Sequence, residues 1–170
     1  DLMQVMPGPD FPTGAALMGI NQIVELYTTG HGILKLRGKA TIEEHKERER
    51  IVITEIPYGV NKERLVTAIA DLVHAKKING IAGLNDESSS RTGMRIVIDV
   101  KRNAMANIVL NLLYKHTSLE NTFGCQFLVV DRNRPKTMNL RQILQAYIDH
   151  RLEVITRRAR FDLGKAEARA

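Results

Sequence analysis

The chain has 170 residues, of which 44% are hydrophobic and 26% charged, so it can bury a core and does not have a disordered composition. Aromatic residues make up only 5% and tryptophan is absent, which disfavours a stacking surface for single-stranded nucleic acid. The single cysteine, Cys125, excludes an internal disulfide, and the scattered histidines lack the spacing of metal ligands. No apolar run approaches the ~20 residues that span a bilayer. The composition therefore predicts a cytoplasmic protein with no metal site and no membrane partner.

Charge is distributed unevenly along the chain. Residues 1–131 hold 15 Lys/Arg and 15 Asp/Glu, whereas residues 132–170 hold 10 and 4 and so carry the whole net charge of +6. This asymmetry indicates a basic surface for a polyanion, although a solvated arginine-rich helix explains it equally well. The chain starts without methionine and ends in a helix-favouring run, so both ends are expected to lie inside a longer protein.

The first third predicts a loop, a helix and a β-hairpin. Prolines and glycines make residues 7–14 a loop, and residues 21–30 indicate a helix with Asn21 as its N-cap and Gly30 at its end. Residues 33–44 alternate like a half-buried strand, and residues 50–57 return as its antiparallel partner. The inward positions are Leu34, Leu36, Ala40, Ile42, Ile51 and Ile53; the outward ones include Lys35, Arg37 and Lys39.

Tyr58 raises the question of whether it is a nucleophile or a corner residue. Pro57 lacks an N–H and ends the strand, Gly59 gives turn freedom, and Asn61 can cap a helix over residues 62–78. This context places Tyr58 at a strand-to-helix corner.

The second half predicts further short elements and one long helix. Residues 83–93 are a polar loop, residues 94–100 a strand, and residues 104–116 a well-buried helix capped by Asn103. Residues 125–131 form a strand, followed by a basic turn. From Asn139 onward the pattern is helical, with an apolar stripe at intervals of three or four: Leu144, Ile148, Leu152, Ile155, Ala159, Leu163, Ala166 and Ala170. Together these elements predict an α+β fold with a small, mixed and largely antiparallel sheet, followed by a long helix.

Few residues suggest catalysis. The segments "TGHG" and "GIAG" match no phosphate-binding fingerprint. Asp86 and Glu87 could bind Mg²⁺, but two neighbouring carboxylates more often form a solvated loop. Tyr114 and Lys115 could be an acid–base pair, although a core tyrosine at a helix end is the simpler interpretation. Cys125 has no base nearby and is interpreted as a small buried residue.

Basic residues form the more promising candidate site. They lie on the predicted strand, in the basic turn and on the long helix, and could contact phosphates without reading sequence. The candidates are Lys35, Arg37, Lys39, Arg132, Arg134, Lys136, Arg157, Arg158 and Arg160.

Six segments in order carry a family resemblance: "GPDFPTG", "ITEIPYGVNK", "DES…GMRIVIDVKR", "LYKHTSLENTFG", "PKTMNLRQIL" and "HRLEVITRRARFDLGKAEAR". Together they resemble the A subunits of bacterial DNA gyrases, which are type IIA topoisomerases, over essentially the whole chain. The run "LYKHT" followed by "FG" resembles these subunits more than the A subunit of topoisomerase IV, which is the alternative within the family.

The resemblance implies a tower domain beside the DNA gate over residues 1–138, and the start of a long coiled-coil helix over residues 139–170. It implies a parent enzyme that supercoils DNA at the expense of ATP, with Mg²⁺ and ATP held through the gyrase B subunit in an A2B2 assembly at the chromosome. The family's catalytic tyrosine follows an arginine in another domain. Tyr27, Tyr58, Tyr114 and Tyr147 match no such context, so the resemblance assigns this region no catalytic residue and no cofactor.

Two other classes of function stay open at this point. The chain could be an interaction module whose long helix is a dimerisation rod, or a small basic RNA-binding protein of ribosomal type. The six ordered segments favour the topoisomerase interpretation over both.

Overall fold

The computed structural model describes residues 2–45 and 48–169. Its helices are α1 Leu2–Val5, α2 Ile20–Thr29, α3 Lys62–His74, α4 Ala106–His116 and α5 Leu140–Glu167. Its strands are β1 Ala16–Met18, β2 His31–Arg37, β3 Lys39–His45, β4 Arg48–Glu55, β5 Ile81–Asp86, β6 Ile96–Val100, β7 Glu120–Gln126, β8 Leu128–Asp131 and β9 Arg134–Thr137. The strand orders are β1-β2-β7, β3-β4-β6-β5 and β8-β9. Helices and antiparallel strand pairs confirm the predicted α+β class.

The chain forms two compact units. Unit 1 comprises residues 1–19 and 34–123, and unit 2 comprises residues 20–33 and 124–170. The predicted division into residues 1–138 and 139–170 concerns the domains of a larger protein, so it stays a prediction.

The core of unit 1 lies between the four-stranded sheet and helices α3 and α4. Alternate residues of β4 and β6 face this core, whereas Val52 and Val97, which are also fully buried, lie on the opposite face of the sheet. The fully buried members include Ile51, Ile53, Ile69, Ile98 and Leu113. Leu34 and Leu36 are each 1% exposed, which confirms their predicted inward orientation.

Gly38 divides the strand that was predicted over residues 33–44. The alternating run is two strands in two sheets, β2 and β3, and the single-strand prediction is wrong. A Cβ atom on Gly38 would lie 2.6 Å from Leu119 Cδ1 and 2.7 Å from the Glu55 carbonyl oxygen. Only glycine permits this close approach. The hairpin is formed by β3 and β4 alone, with Ala40 opposite Ile53, and β2 pairs with β1.

The helix ends confirm some predicted caps and correct others. Asn61 caps α3 by accepting a 3.0 Å hydrogen bond from the Arg64 N–H, as predicted. Gly30 follows α2 with a φ of 83°, which confirms the predicted end. Asn21 lies inside α2, which begins at Ile20, so its predicted capping role is wrong.

The N-terminus of α4 differs from the prediction. The helix begins at Ala106 rather than beside Asn103, and the Ala106 N–H donates to the Glu49 carboxylate at 2.9 Å. A carboxylate is a favourable partner there because of the helix dipole. The helix is also less buried than predicted, since Ile108 is 55% exposed.

Two strands lie where loop or turn was predicted. β5 occupies residues 81–86, the end of which was assigned to a polar loop, and pairs with β6. β9 occupies much of the predicted basic turn and pairs with β8. The strand predicted over residues 125–131 is divided between β7 and β8.

Candidate nucleic-acid interface

Lys35 and Arg37 share one carboxylate. They lie on alternate positions of β2, and Glu120 at the start of β7 pairs with both. Lys35 Nζ is 2.5 Å from Glu120 Oε1, and Arg37 Nη2 is 2.5 Å from Oε2. Hydrogen bonds from Lys35 and then Arg37 lower the pKa of Glu120. The structure therefore brings Lys35 and Arg37 together, but the carboxylate of Glu120 neutralises one of their two positive charges.

The Arg37 guanidinium also lies over an aromatic ring. Its Cζ is 4.6 Å from the centroid of Tyr114, and the Tyr114 hydroxyl donates to the Gly38 carbonyl at 3.0 Å. Burial raises the pKa of Tyr114. These contacts fit the interpretation of Tyr114 as a core residue and hold Arg37 in one orientation.

Lys39 is separated from this pair. It lies on β3 in the four-stranded sheet, and its Nζ is 3.5 Å from Glu55 Oε1. Glu55 is also the acceptor for the Ala15 N–H at 2.6 Å. The predicted single basic strand face is thus wrong, because Gly38 divides it between two sheets.

The β8–β9 hairpin presents its cations differently. Arg132 and Asn133 form its two-residue turn with φ values of 46° and 64°, and Arg134 and Lys136 follow on β9. Positive φ at both turn residues matches the right-handed twist of the strands. Arg132, Arg134 and Lys136 are exposed, and no carboxylate of residues 2–45 or 48–169 lies within 4.0 Å of their charged nitrogens.

The arginines on α5 are exposed and at most loosely paired. Arg157 lies 3.9 Å from Glu153 and Arg158 lies 3.8 Å from Asp162, both at i,i+4 spacing. Exposed pairs of this kind contribute little stability. For Arg160, no acidic partner occurs within the described part of the chain.

A groove of about 1020 Å³ separates the β8–β9 hairpin from α5 within unit 2. Arg132 and Lys136 line it from the hairpin and Arg157 from the helix. The carboxylates of Asp131, Asp149 and Glu153 also line it. The groove brings together three candidates that lie far apart in the sequence.

A family model that describes the A subunit of DNA gyrase/topoisomerase IV matches residues 1–170. The chain belongs to this family. It is 54% identical to the DNA gyrase A subunit of Clostridium acetobutylicum, 51% to that of Halalkalibacterium halodurans and 46% to that of Chlamydia trachomatis. Each alignment covers 100% of this chain and 20% of the relative, so the chain spans about a fifth of their length. The predicted resemblance to gyrase A subunits is confirmed.

Tyr58 belongs to an aromatic cluster in this gyrase-family chain. Its ring centroid lies 5.7 Å from that of Phe11 and 5.4 Å from that of Phe123, and the two phenylalanines are 5.3 Å apart. These contacts tie the N-terminal loop and β7 to the corner after β4. The cluster gives Tyr58 a packing role at the predicted corner.

The other candidates have ordinary partners. Asp86 pairs with Lys62 at 2.6 Å, and hydrogen bonds from Lys62 and Ser88 lower its pKa to about 2.

Among the described residues no three His, Cys, Asp or Glu side chains are grouped to hold a metal ion, and no helix is long and apolar enough to cross a membrane. Burial raises the pKa of Cys125, which is half-buried.

Sequence reasoning missed Glu120, the residue that organises Lys35 and Arg37. It is 83 positions from Arg37, and its surroundings in the sequence are polar. Only the pairing of β2 and β7 in one sheet brings it to the two cations, so no local pattern could have identified it.

Proposed function

We propose that this chain is the part of a type IIA topoisomerase A subunit that supports the DNA gate and contacts the backbone of the flanking duplex. The observation that carries this proposal is the family match over all 170 residues, with relatives that are named as DNA gyrase A subunits. The parent activity is ATP-dependent supercoiling, with topoisomerase IV as the alternative in the same family. Residues 1–138 act as the tower domain and residues 139–170 begin the coiled coil.

The cations of the β8–β9 hairpin, which have no carboxylate partner in the described part of the chain, support the proposed DNA contact. A phosphate that approaches Arg132, Arg134 or Lys136 does not have to replace a carboxylate, whereas one that approaches Arg37 competes with Glu120. Contacts of this kind are independent of sequence and release counterions from the duplex. We therefore rank the β8–β9 hairpin first, α5 second, and the pair on β2 third.

The chemistry and assembly of the parent lie outside these residues in this proposal. The catalytic tyrosine belongs to another domain, the gyrase B subunit supplies Mg²⁺ and ATP, and two A and two B subunits form the enzyme at the chromosome in the cytoplasm. The chain alone should therefore neither nick nor relax supercoiled DNA with Mg²⁺. Relaxation that Tyr58→Phe abolished would overturn this assignment.

The DNA contact can be tested by salt titration with a duplex of mixed sequence. The slope of log K against log salt should be about −0.9 per phosphate contact. Changing Arg132, Arg134 and Lys136 together to Gln should flatten it by up to about 2.7, and changing Lys35, Arg37 and Lys39 to Gln should flatten it less.

The matched control changes Arg64, Lys77 and Arg91 to Gln, because these side chains are exposed and lie elsewhere on unit 1. Equal flattening by all three triple variants would mean that net charge, and not a defined surface, attracts the duplex. No binding at low salt would remove the DNA contact from the proposal.

A dimerisation rod is the second candidate, and one feature of α5 favours it. Ile148, Leu152 and Ile155 lie on one face of the helix and are 51%, 61% and 55% exposed. An apolar stripe of this kind buries itself against another helix. Sedimentation of the chain separates the candidates: a stable dimer that Leu152→Glu dissociates, without DNA binding, would favour the rod.

A further inference from the structure

The β8–β9 hairpin has an exposed apolar side. Residues that are opposite each other in a two-stranded ribbon share a side, so Leu128 and Thr137 lie together with Val130 and Pro135. Leu128 is 61% exposed, Val130 is 75% exposed, and Pro135 is exposed as well. An isolated two-stranded hairpin is only marginally stable in water, and side chains that stay exposed on it add little to its stability. These side chains are therefore available to a partner.

The turn of the hairpin holds an arginine in an uncommon backbone conformation. Arg132 and Asn133 have φ values of 46° and 64°, the positive values that a two-residue type I′ turn requires at both positions. Asparagine, aspartate and glycine adopt this conformation most readily, so Asn133 fits the turn and Arg132 does not. Backbone strain of this kind occurs most often at functional positions. The side chain of Arg132, at the exposed end of the hairpin, is therefore a candidate for a ligand contact.

The hairpin has a net positive charge of its own. Residues 128–137 contain Arg132, Arg134 and Lys136 against the single carboxylate of Asp131, which leaves a net charge of +2. Cations beside an exposed apolar side complement a polyanion that also has apolar surface. Duplex DNA offers both, because phosphates line its grooves and the base edges, with the thymine methyl groups, form the groove floor.

The dimensions of the hairpin match the major groove. In B-form DNA this groove is about 12 Å wide and about 8.5 Å deep and admits a two-stranded ribbon, whereas the minor groove is only about 6 Å wide. The two strands lie about 4.8 Å apart. Lys136 follows Arg134 by two residues on β9, about 6.7 Å along the strand. With the turn at the groove floor, Lys136 therefore lies near the rim, where the phosphates are.

We propose that the β8–β9 hairpin enters the major groove of a B-form DNA duplex with its turn foremost. Arg132 and Asn133 then contact base edges, Val130 contacts the apolar part of the floor, and Arg134 and Lys136 contact phosphates. This inference rests on the proposed DNA contact and goes beyond it, because contacts to the backbone alone do not require a groove. An A-form RNA duplex does not fit the hairpin, since its major groove is deep and narrow.

Compounds that occupy one groove test this entry with the unmodified chain. A DNA duplex of mixed sequence is titrated with the chain and followed by fluorescence anisotropy. The titration is repeated with the duplex saturated by methyl green, which occupies the major groove, or by netropsin, which occupies the minor groove. Both compounds are cationic, so both reduce the phosphate charge. Methyl green should weaken binding at least about tenfold, and netropsin by no more than about twofold.

An RNA duplex of the same sequence provides the second comparison. It has the same number of phosphates but a major groove that side chains cannot read, so the chain should bind it at least about tenfold more weakly than DNA.

A turn variant assigns the contact to Arg132. Arg132→Asn places a residue that favours positive φ in the turn, so the hairpin should persist, but it removes the long cationic side chain. Binding to DNA should weaken at least about fivefold. The control Arg91→Asn removes the same charge from an exposed position of unit 1 and should leave the dissociation constant within about twofold.

The outcomes separate failure of this inference from failure of the proposed function. Absence of binding to any duplex at low salt would overturn the DNA contact, and groove entry with it. Binding that methyl green leaves unchanged, or equal affinity for DNA and RNA duplexes, would overturn groove entry alone and would assign the apolar side of the hairpin to a protein partner. Equal weakening by Arg132→Asn and Arg91→Asn would also overturn it, because net charge would then explain the binding.

Discussion

The two units hold their cations in different ways. In unit 1, arginines are tied to carboxylates across strands: Arg37 to Glu120 and Arg50 to Asp99. In unit 2 the hairpin cations have no carboxylate partner among residues 2–45 and 48–169, and the ion pairs of α5 are long and exposed. Unit 1 holds 15 Lys/Arg and 13 Asp/Glu, against 10 and 6 in the much shorter unit 2. We therefore expect that ion pairing, and not the count of cations, decides which charges can contact a polyanion.

The two units also differ in how much of their apolar surface is buried. The sheet and helices of unit 1 enclose a continuous apolar core, whereas α5, with 28 residues, buries only Leu140. A helix about 42 Å long with so little burial depends on its local sequence and on partners beyond itself. Unit 1 should therefore control the stability of the chain.

The largest expected effect is at a buried position of unit 1. Leu36→Ala removes a side chain that is 1% exposed and should lower the free energy of unfolding by about 2–5 kcal/mol. Leu152→Ala, at a position on α5 that is 61% exposed, should change it by no more than about 0.5 kcal/mol. Urea denaturation of both variants measures the contrast. Similar losses would show that α5 packs on apolar surface in solution and that the comparison between units is wrong.

The helix caps provide a second contrast. The first N–H of α4 depends on Glu49, more than 50 residues away, whereas α5 begins with a local capping box between Asn139 and Gln142. Glu49→Ala should therefore destabilise unit 1 by about 0.5–2 kcal/mol, while Glu49→Gln keeps an acceptor and should cost less. Thermal melts of the two variants would decide this. Equal losses would attribute the effect to charge and not to the hydrogen bond.

Sequence reasoning succeeded where the cause of a structure is local. Asn61, Gly30 and the start of α5 at Asn139 follow from the chemistry of a few adjacent residues, and the structure confirms them. The alternation of apolar residues also identified the inward positions of β2 and β4. The family resemblance rested on six ordered segments, and the comparison with known relatives confirms it.

Sequence reasoning failed where the cause lies in distant residues. Period-two alternation continues through Gly38, so it could not show that the chain changes sheets there. β5 was missed because Gly83 suggests a loop, yet that glycine makes room for Asp99, whose Oδ2 would lie 3.2 Å from a Cβ atom. The partners of the cations, Glu120 above all, are equally remote. The candidate cations could thus be identified from the sequence. Which of them pair with carboxylates could not be predicted, because the partners lie far away in the chain.

An acid titration tests the expectation that the ion pair between Asp86 and Lys62 contributes little to the free energy of unfolding. In the folded chain the pKa of Asp86 is about 2, below its ordinary value of 3.8. A lowered folded pKa contributes stability that is present above pH 4 and is lost as the pH falls toward 2. Because the pair with Lys62 is about a third exposed, we expect less than about 1 kcal/mol.

Asp86→Asn should therefore be slightly less stable than the parent at pH 7, and the difference should shrink between pH 4 and pH 2. Urea midpoints across that range measure it. A difference independent of pH would assign the effect to packing, because asparagine can still accept the hydrogen bond from the Ser88 N–H.

The smallest expected effect concerns DNA and the carboxylate that Lys35 and Arg37 share. Glu120→Gln removes the charge that offsets half of this pair, while its amide oxygen can still accept one hydrogen bond. If the two cations can reach a duplex, freeing them should steepen the salt slope by up to about 1.8, at two contacts of about 0.9 each. Affinity at low salt should rise severalfold, measured by fluorescence anisotropy with a duplex of mixed sequence.

Glu44→Gln is the matched control, because it adds the same charge at an exposed position of β3. An increase confined to Glu120→Gln would mean that unit 1 holds latent phosphate contacts that its ion pairs suppress. An unchanged slope in both variants would confine the DNA contact to the hairpin and α5, which makes the contrast between the units sharper. Equal increases in Glu120→Gln and Glu44→Gln would show that net charge alone causes the effect. In that case the pairing of cations would not predict which of them contact DNA. The ranking of the hairpin, α5 and the pair on β2 would then be wrong.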